Sequence, residues 1–136
     1  MTISRDFPQI TNRRIASNGI ELNIAEQGKD DAPLIVMLHG FPESWFSWRH
    51  QFAPLAAAGY HVVAPDMRGY GESDKPSDIT AYNQVEIVND IKGLVDTLGY
   101  ETAIVIGHDW GGPTAWCCAL WHPKIFTAVG VLSVPF

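Results

Sequence analysis

The sequence predicts an α/β fold, a mostly parallel sheet with helices on both faces, opened by an N-terminal hairpin. Three observations carry this. Strand-length apolar runs recur along the chain at Leu34–Leu38, His61–Ala64, Ala103–Ile106 and Ala128–Val134. Stretches of helical periodicity lie between them, and strands that alternate with helices pair in parallel. Ahead of both sits Ser17-Asn18-Gly19, and an Asn-Gly pair between two apolar-containing runs is a strong hairpin signal.

Each element has its own justification. Arg14–Ala16 and Ile20–Ala25 flank the Asn-Gly turn as the hairpin strands. Gly28–Pro33 is a polar link into Leu34–Leu38, whose unbroken apolar run suits a strand covered on both faces. Phe46–Ala58 reads as a helix stopped by Gly59, and His61–Ala64 as the next strand. Residues 83–98 form the clearest helix, with Ile87, Val88, Ile91, Leu94, Val95 and Leu98 on one face. Asn83 and Glu86 fit a capping box there, and Gly99 fits the stop. A further helix follows residue 110 and ends near His122-Pro123, before the last strand at 128–134.

Composition bounds the function. At 136 residues the chain is one domain's worth, and its 46% apolar content supports a buried core. A formal charge of −6 argues against nucleic acid or an anionic membrane as partner. No apolar stretch of signal-peptide type follows Met1, and the apolar runs are too short to span a bilayer. Cys117 and Cys118 are adjacent, which makes neither a disulfide framework nor a metal-ligand spacing. They read as reduced thiols, and the expected location is cytoplasmic. No Gly-x-Gly-x-x-Gly phosphate loop is present, so no metal or organic cofactor is expected.

The chemistry concentrates at Gly107-His108-Asp109-Trp110-Gly111-Gly112, directly after the strand Ala103–Ile106. A nucleophile elbow has this build: a sharp strand-to-helix turn with the reactive side chain at its apex. Here the apex is Asp109, not serine. A carboxylate is already ionised near neutral pH, so its attack needs no prior proton transfer. Its alkyl ester can be hydrolysed by water, whereas the ether left by a serine could not. An elbow aspartate therefore suits an electrophilic saturated carbon. Gly107 and Gly111 give the tight turn room, and Gly112 lets the next helix approach the sheet. The same residues also fit an ordinary strand–turn–helix with Asp109 as its N-cap.

Two further loops bear on this turn. Leu34–Leu38 ends in His39-Gly40-Phe41-Pro42. In elbow enzymes an N–H of this loop joins the N–H after the nucleophile in an oxyanion hole, here the amides of Phe41 and Trp110. His39, Gly40 and Pro42 read as loop-structuring residues, as does His108 in the elbow. The Asp66–Ser73 loop follows the next strand, and Asp66 and Arg68 read as loop-fixing groups. Trp45, Trp48, Trp116 and Trp121 are read as core residues.

With these three stretches in order, from about Arg14 to Phe136, the chain resembles the α/β-hydrolase superfamily, and within it the epoxide hydrolases. The resemblance implies that Asp109 is the nucleophile and that the Phe41–Pro42 bond is cis. It implies a small hydrophobic epoxide and water as substrates. Haloalkane dehalogenases usually carry Asn or Glu where Phe41 stands, and fluoroacetate-type dehalogenases a cation where Trp110 stands. A dehalogenase and a non-catalytic, truncated hydrolase-like domain remain the alternatives.

The elbow logic places the acid and the histidine after the nucleophile. Residues 110–136 hold no Asp or Glu, and their one histidine, His122, sits at a helix end. The family's ring-opening tyrosines belong to a cap that Tyr60, Tyr70, Tyr82 and Tyr100 do not match. Residues 1–136 are therefore expected to be the N-terminal half of an α/β-hydrolase core, without the cap domain or the C-terminal core half. That half, in the same or a separate chain, is the expected partner. The isolated chain is expected to be inactive and poorly soluble.

Overall fold

A computed structural model describes residues 2–3 and 6–135. Met1, Ser4, Arg5 and Phe136, the last included in the resemblance, lie outside the described residues. Seven strands form one sheet in the order β1-β2-β3-β5-β4-β6-β7. They are β1 (Thr2–Ile3), β2 (Thr11–Ser17), β3 (Ile20–Gln27), β4 (Leu34–Leu38), β5 (His61–Pro65), β6 (Ala103–His108) and β7 (Phe126–Leu132). From β5 through β7 the pairings are parallel, while β1, β2 and β3 join antiparallel. The helices are α1 (Phe52–Ala57), α2 (Gln84–Thr97) and α3 (Gly111–Trp121).

The hairpin turns where Asn-Gly predicts it. Asn18 and Gly19 both take positive φ, 50° and 79°, and Ser17 pairs with Ile20. Those left-handed conformations suit the right-handed twist of the flanking strands. The α/β alternation then covers both faces. Leu34, Val36 and Leu38 of β4 join the core under α2 and α3. Ile35 and Met37, pointing the other way, join the core under α1 with Trp48 and Phe52. A strand buried on both faces needs an unbroken apolar sequence, which is what Leu34–Leu38 supplies.

Three expectations are corrected. The helix expected over Phe46–Ala58 is broken into a 3₁₀ turn at Trp45–Trp48 and then α1. Pro54 explains the break. In a continuous helix its ring would clash with the carbonyl of His50, so the helix restarts at Phe52 and places Pro54 in the first turn. The last strand begins at Phe126 rather than 128 and ends at Leu132, before Ser133 at a φ of 66°. Phe126 is drawn in because its side chain is buried in the core beside α2 and α3. Trp121 is 48% exposed at the end of α3 and is not a core residue.

α2 holds its expected face, with Val88, Ile91, Leu94 and Val95 buried. Asn83 caps it by accepting from the Glu86 N–H at 3.0 Å. Gly99 leaves the helix at a φ of 83°. Cys117 and Cys118 are free thiols on α3, and burial pushes the Cys118 thiol up to about 12. No helix among the described residues is long and apolar enough to cross a membrane.

Candidate active site

β4 and β6 are adjacent and parallel, so their C-terminal loops meet. This is what brings Gly40 and Phe41 against Asp109, 68 residues later than Phe41 in sequence. Ligands of open α/β sheets bind at this end of the strands. Asp109 sits at the apex of the turn with a φ of 55°, a left-handed conformation that is uncommon for a non-glycine residue.

The surrounding glycines are steric requirements of the turn. A Cβ on Gly107 would collide with the Gly111 carbonyl oxygen, and one on Gly111 with the Leu38 carbonyl oxygen. A Cβ on Gly40 would overlap the Asp109 side chain. One on Gly112 would come within 3.0 Å of Val131 on β7, so α3 rests directly on the sheet.

The Asp109 carboxylate is not an N-cap. α3 starts at Gly111 with Trp110 as its cap residue. Asp109 Oδ2 instead accepts from two backbone amides, Phe41 N–H at 3.0 Å and Trp110 N–H at 2.7 Å. These two bonds, Phe41 first, hold the Asp109 carboxyl below the usual carboxylate range. The site thus has an ionised carboxylate with one oxygen held between two amides that converge from different loops. The Phe41–Pro42 peptide bond is cis. Phe41 and Trp110 are 59% and 68% exposed. A cavity of about 250 Å³ lies alongside, lined in part by His39, Gly40, Met67, Tyr70 and Trp110.

The profile of the alpha/beta hydrolase fold family matches residues 33–135. The chain belongs to that family. Among similar α/β hydrolases is epoxide hydrolase A of Mycobacterium tuberculosis, 47% identical over 92% of this chain and 39% of its own length. A Bacillus subtilis AB hydrolase superfamily protein is 48% identical over 89% of this chain and 42% of its own. The crystal structure of epoxide hydrolase A from Mycobacterium thermoresistibile superposes with a TM-score of 0.91 at 48% identity, covering 93% of this chain and 40% of that one. The chain therefore spans well under two thirds of the length of these hydrolases.

The remaining predicted residues of this α/β hydrolase are placed as follows. His39 is buried, bridging its own loop and the Asp66–Ser73 loop through both ring nitrogens. Asp66 organises the latter loop: its carboxylate accepts from the Trp45 and Glu72 N–H groups and the Asn23 side chain, each at 2.9 Å. Arg68 forms a paired-nitrogen bridge to Asp90 of α2, both bonds at 2.8 Å. His122 ends α3, where its carbonyl accepts from the Ile125 and Phe126 N–H groups.

Sequence reasoning missed two contacts. His108, beside the candidate nucleophile, lies 3.6 Å from Glu43. The signal was a carboxylate one residue past Pro42 and a histidine one residue before Asp109, which only the pairing of β4 with β6 joins. Glu26, Asp30 and His61 also converge, with potential metal-ligand atoms within 4.8 Å of one another. They lie at the β5 N-terminal end, opposite the elbow. Glu26 is already engaged by Arg13 at 2.6 Å and His61 at 3.2 Å.

Proposed function

We propose that this chain is the nucleophile-bearing half of an epoxide hydrolase, acting on small hydrophobic epoxides in the cytoplasm. The observation that carries the reading is the Asp109 carboxylate, with Oδ2 held by the Phe41 and Trp110 amides. Those amides leave Oδ1 to attack. Oδ1 bonds to a ring carbon, the carbon–oxygen bond of the epoxide breaks, and the released alkoxide takes a proton, from water when residues 1–136 act alone and from an acid of the remaining half in the complete enzyme. In the resulting ester Oδ2 is the carbonyl oxygen, already lying between two N–H donors. Water activated by a histidine outside this chain adds to the carboxyl carbon, and the oxyanion forms on Oδ2 where the amides stabilise it. The bond between the carboxyl carbon and Oδ1 breaks, the leaving oxygen takes the proton that the histidine removed from water, a vicinal diol leaves, and loss of the remaining carboxyl proton, which replaces the one used in ring opening, restores the carboxylate.

The names of the similar epoxide hydrolases support the substrate class. The exposed apolar side chains of Phe41 and Trp110, which carry the two amides, suit a hydrophobic substrate under a covering domain. A dehalogenase reading is weaker, because the Phe41 side chain has no donor with which to hold a departing halide. Halide release by the complete protein, without epoxide turnover, would establish it instead.

The test is intact-mass spectrometry after incubation with a styrene-type epoxide, comparing the chain with Asp109→Asn. One adduct per chain is expected, mapping to Asp109 and stable for want of a base, and none in the variant. Adducts at other residues, or equal labelling of the variant, would overturn the reading.

A further inference from the structure

We infer that His39 is the positioning residue of the oxyanion hole, acting through the Gly40–Phe41 peptide as a neutral ring with its proton on Nδ1. The inference rests on the proposed role of the Phe41 amide, and it goes beyond the loop-holding role that sequence suggests for His39.

The ring's proton placement follows from its partners. His39 Nε2 lies 2.9 Å from the Met67 backbone nitrogen, whose N–H can only donate. Nε2 must therefore be the bare, accepting nitrogen. In a neutral ring the proton is then on Nδ1, which lies 2.8 Å from the Gly40 carbonyl oxygen and donates to it. A second proton on the ring would set N–H against N–H at Met67. Burial at 2% exposure further disfavours the charged ring.

The Gly40 carbonyl and the Phe41 N–H belong to one peptide unit, and this unit is trans. The two groups are coplanar and point in opposite directions. Fixing the carbonyl therefore aims the N–H, which meets Asp109 Oδ2 at 3.0 Å. The fixing matters because residue 40 must be glycine: a Cβ would overlap Asp109. Glycine also frees this peptide plane to rotate. Two donors hold it, His39 Nδ1 and the Glu43 N–H at 3.1 Å, which together satisfy both carbonyl lone pairs. Donation to the carbonyl also polarises the amide, making the Phe41 N–H a stronger donor. The chain of contacts runs from the Asp66–Ser73 loop through Met67, His39 and Gly40 to the nucleophile.

The experiment needs no epoxide, so its outcome is separate from that of the substrate assignment. It uses the isotopically labelled chain, kept dilute enough to be monomeric. First, ring 15N shifts of His39 should report the neutral Nδ1–H form near neutral pH. The Nε2–H form, or an imidazolium, would overturn the inference. Second, His39→Asn and His39→Gln are compared. Asn can place an N–H where Nδ1 was and so keep the bond to Gly40. Gln reaches the Nε2 position, keeping the Met67 bond and losing the one to Gly40. The Phe41 amide proton is expected to move upfield, and the Asp109 carboxyl midpoint upward, in Gln but not in Asn. A purely structural histidine would leave Asp109 unchanged in both, or disturb both alike, and either result would sink the proposal.

Discussion

At the residue scale, one strained residue and its small neighbours define the candidate site. Asp109 takes a positive φ at the apex of a strand-to-helix turn where Gly107 and Gly111 have no room for a Cβ. Gly111→Ala places a methyl group against the Leu38 carbonyl oxygen. It is expected to lower stability by about 1–3 kcal/mol, measured by chemical denaturation. The two amides that lower the Asp109 carboxyl also set a pH dependence for its labelling by epoxide. The carboxylate stays ionised as pH falls to roughly 4, so the nucleophile should not be lost to protonation across the mildly acidic range. A loss of labelling with a midpoint near pH 6 would show that another group controls the step.

At the scale of elements, buried polar contacts tie the loops to the sheet and helices. Arg68 and Asp90 join the Asp66–Ser73 loop to α2, with side chains only 4% and 1% exposed. Removing one partner leaves the other charge buried and uncompensated. Arg68→Met alone is expected to cost about 3–5 kcal/mol, and the double variant Arg68→Met/Asp90→Leu less than that. Thermal or urea unfolding of the single and double variants tests the ordering. On the opposite end of the sheet, burial pushes Glu26 upward, but hydrogen bonds from His61 and Arg13 outweigh it and leave the carboxyl lowered. A carboxyl lowered by folding adds stability above its unfolded pKa, and that stability is lost as pH falls through the folded value. Unfolding free energy should therefore decline below about pH 4, and the decline should be shallower in Glu26→Gln. Equal slopes in the two proteins would remove Glu26 as a contributor.

At the scale of the whole molecule, the sheet is well covered in the middle and open at its edges, the two-residue β1 and the longer β7. β4 and β5 lie between two helical layers, whereas β7 pairs with β6 alone among the described strands. Thr127 and Ala128 of β7 are exposed, and the strand is otherwise apolar. An uncovered apolar edge is a template for pairing with another chain. The isolated chain is expected to self-associate as concentration rises, and Ala128→Lys to reduce that association, both by sedimentation velocity. A protein that stays monomeric at high concentration would refute this.

By itself, the sequence determined the elements and the chemistry of the apex. Periodicity placed α2, unbroken apolar runs placed β4 and β5, and Asn18-Gly19 placed the hairpin, because these signals are local. The glycines around Asp109 were legible for the same reason: a turn's steric limits act within a few residues. Tertiary structure decided what distant segments do together. Pro54 split the expected 46–58 helix where the chain had to pack under the sheet, and Phe126 joined β7 because the core had a place for it. The hold of the Phe41 amide on Asp109, the His39 bridge and the His108–Glu43 contact all depend on the side-by-side pairing of β4 with β6 or on the neighbouring β5 loop. No one-dimensional pattern encodes such pairings, because a hydrogen bond across 68 residues depends on the path of the intervening chain and not on its local propensities.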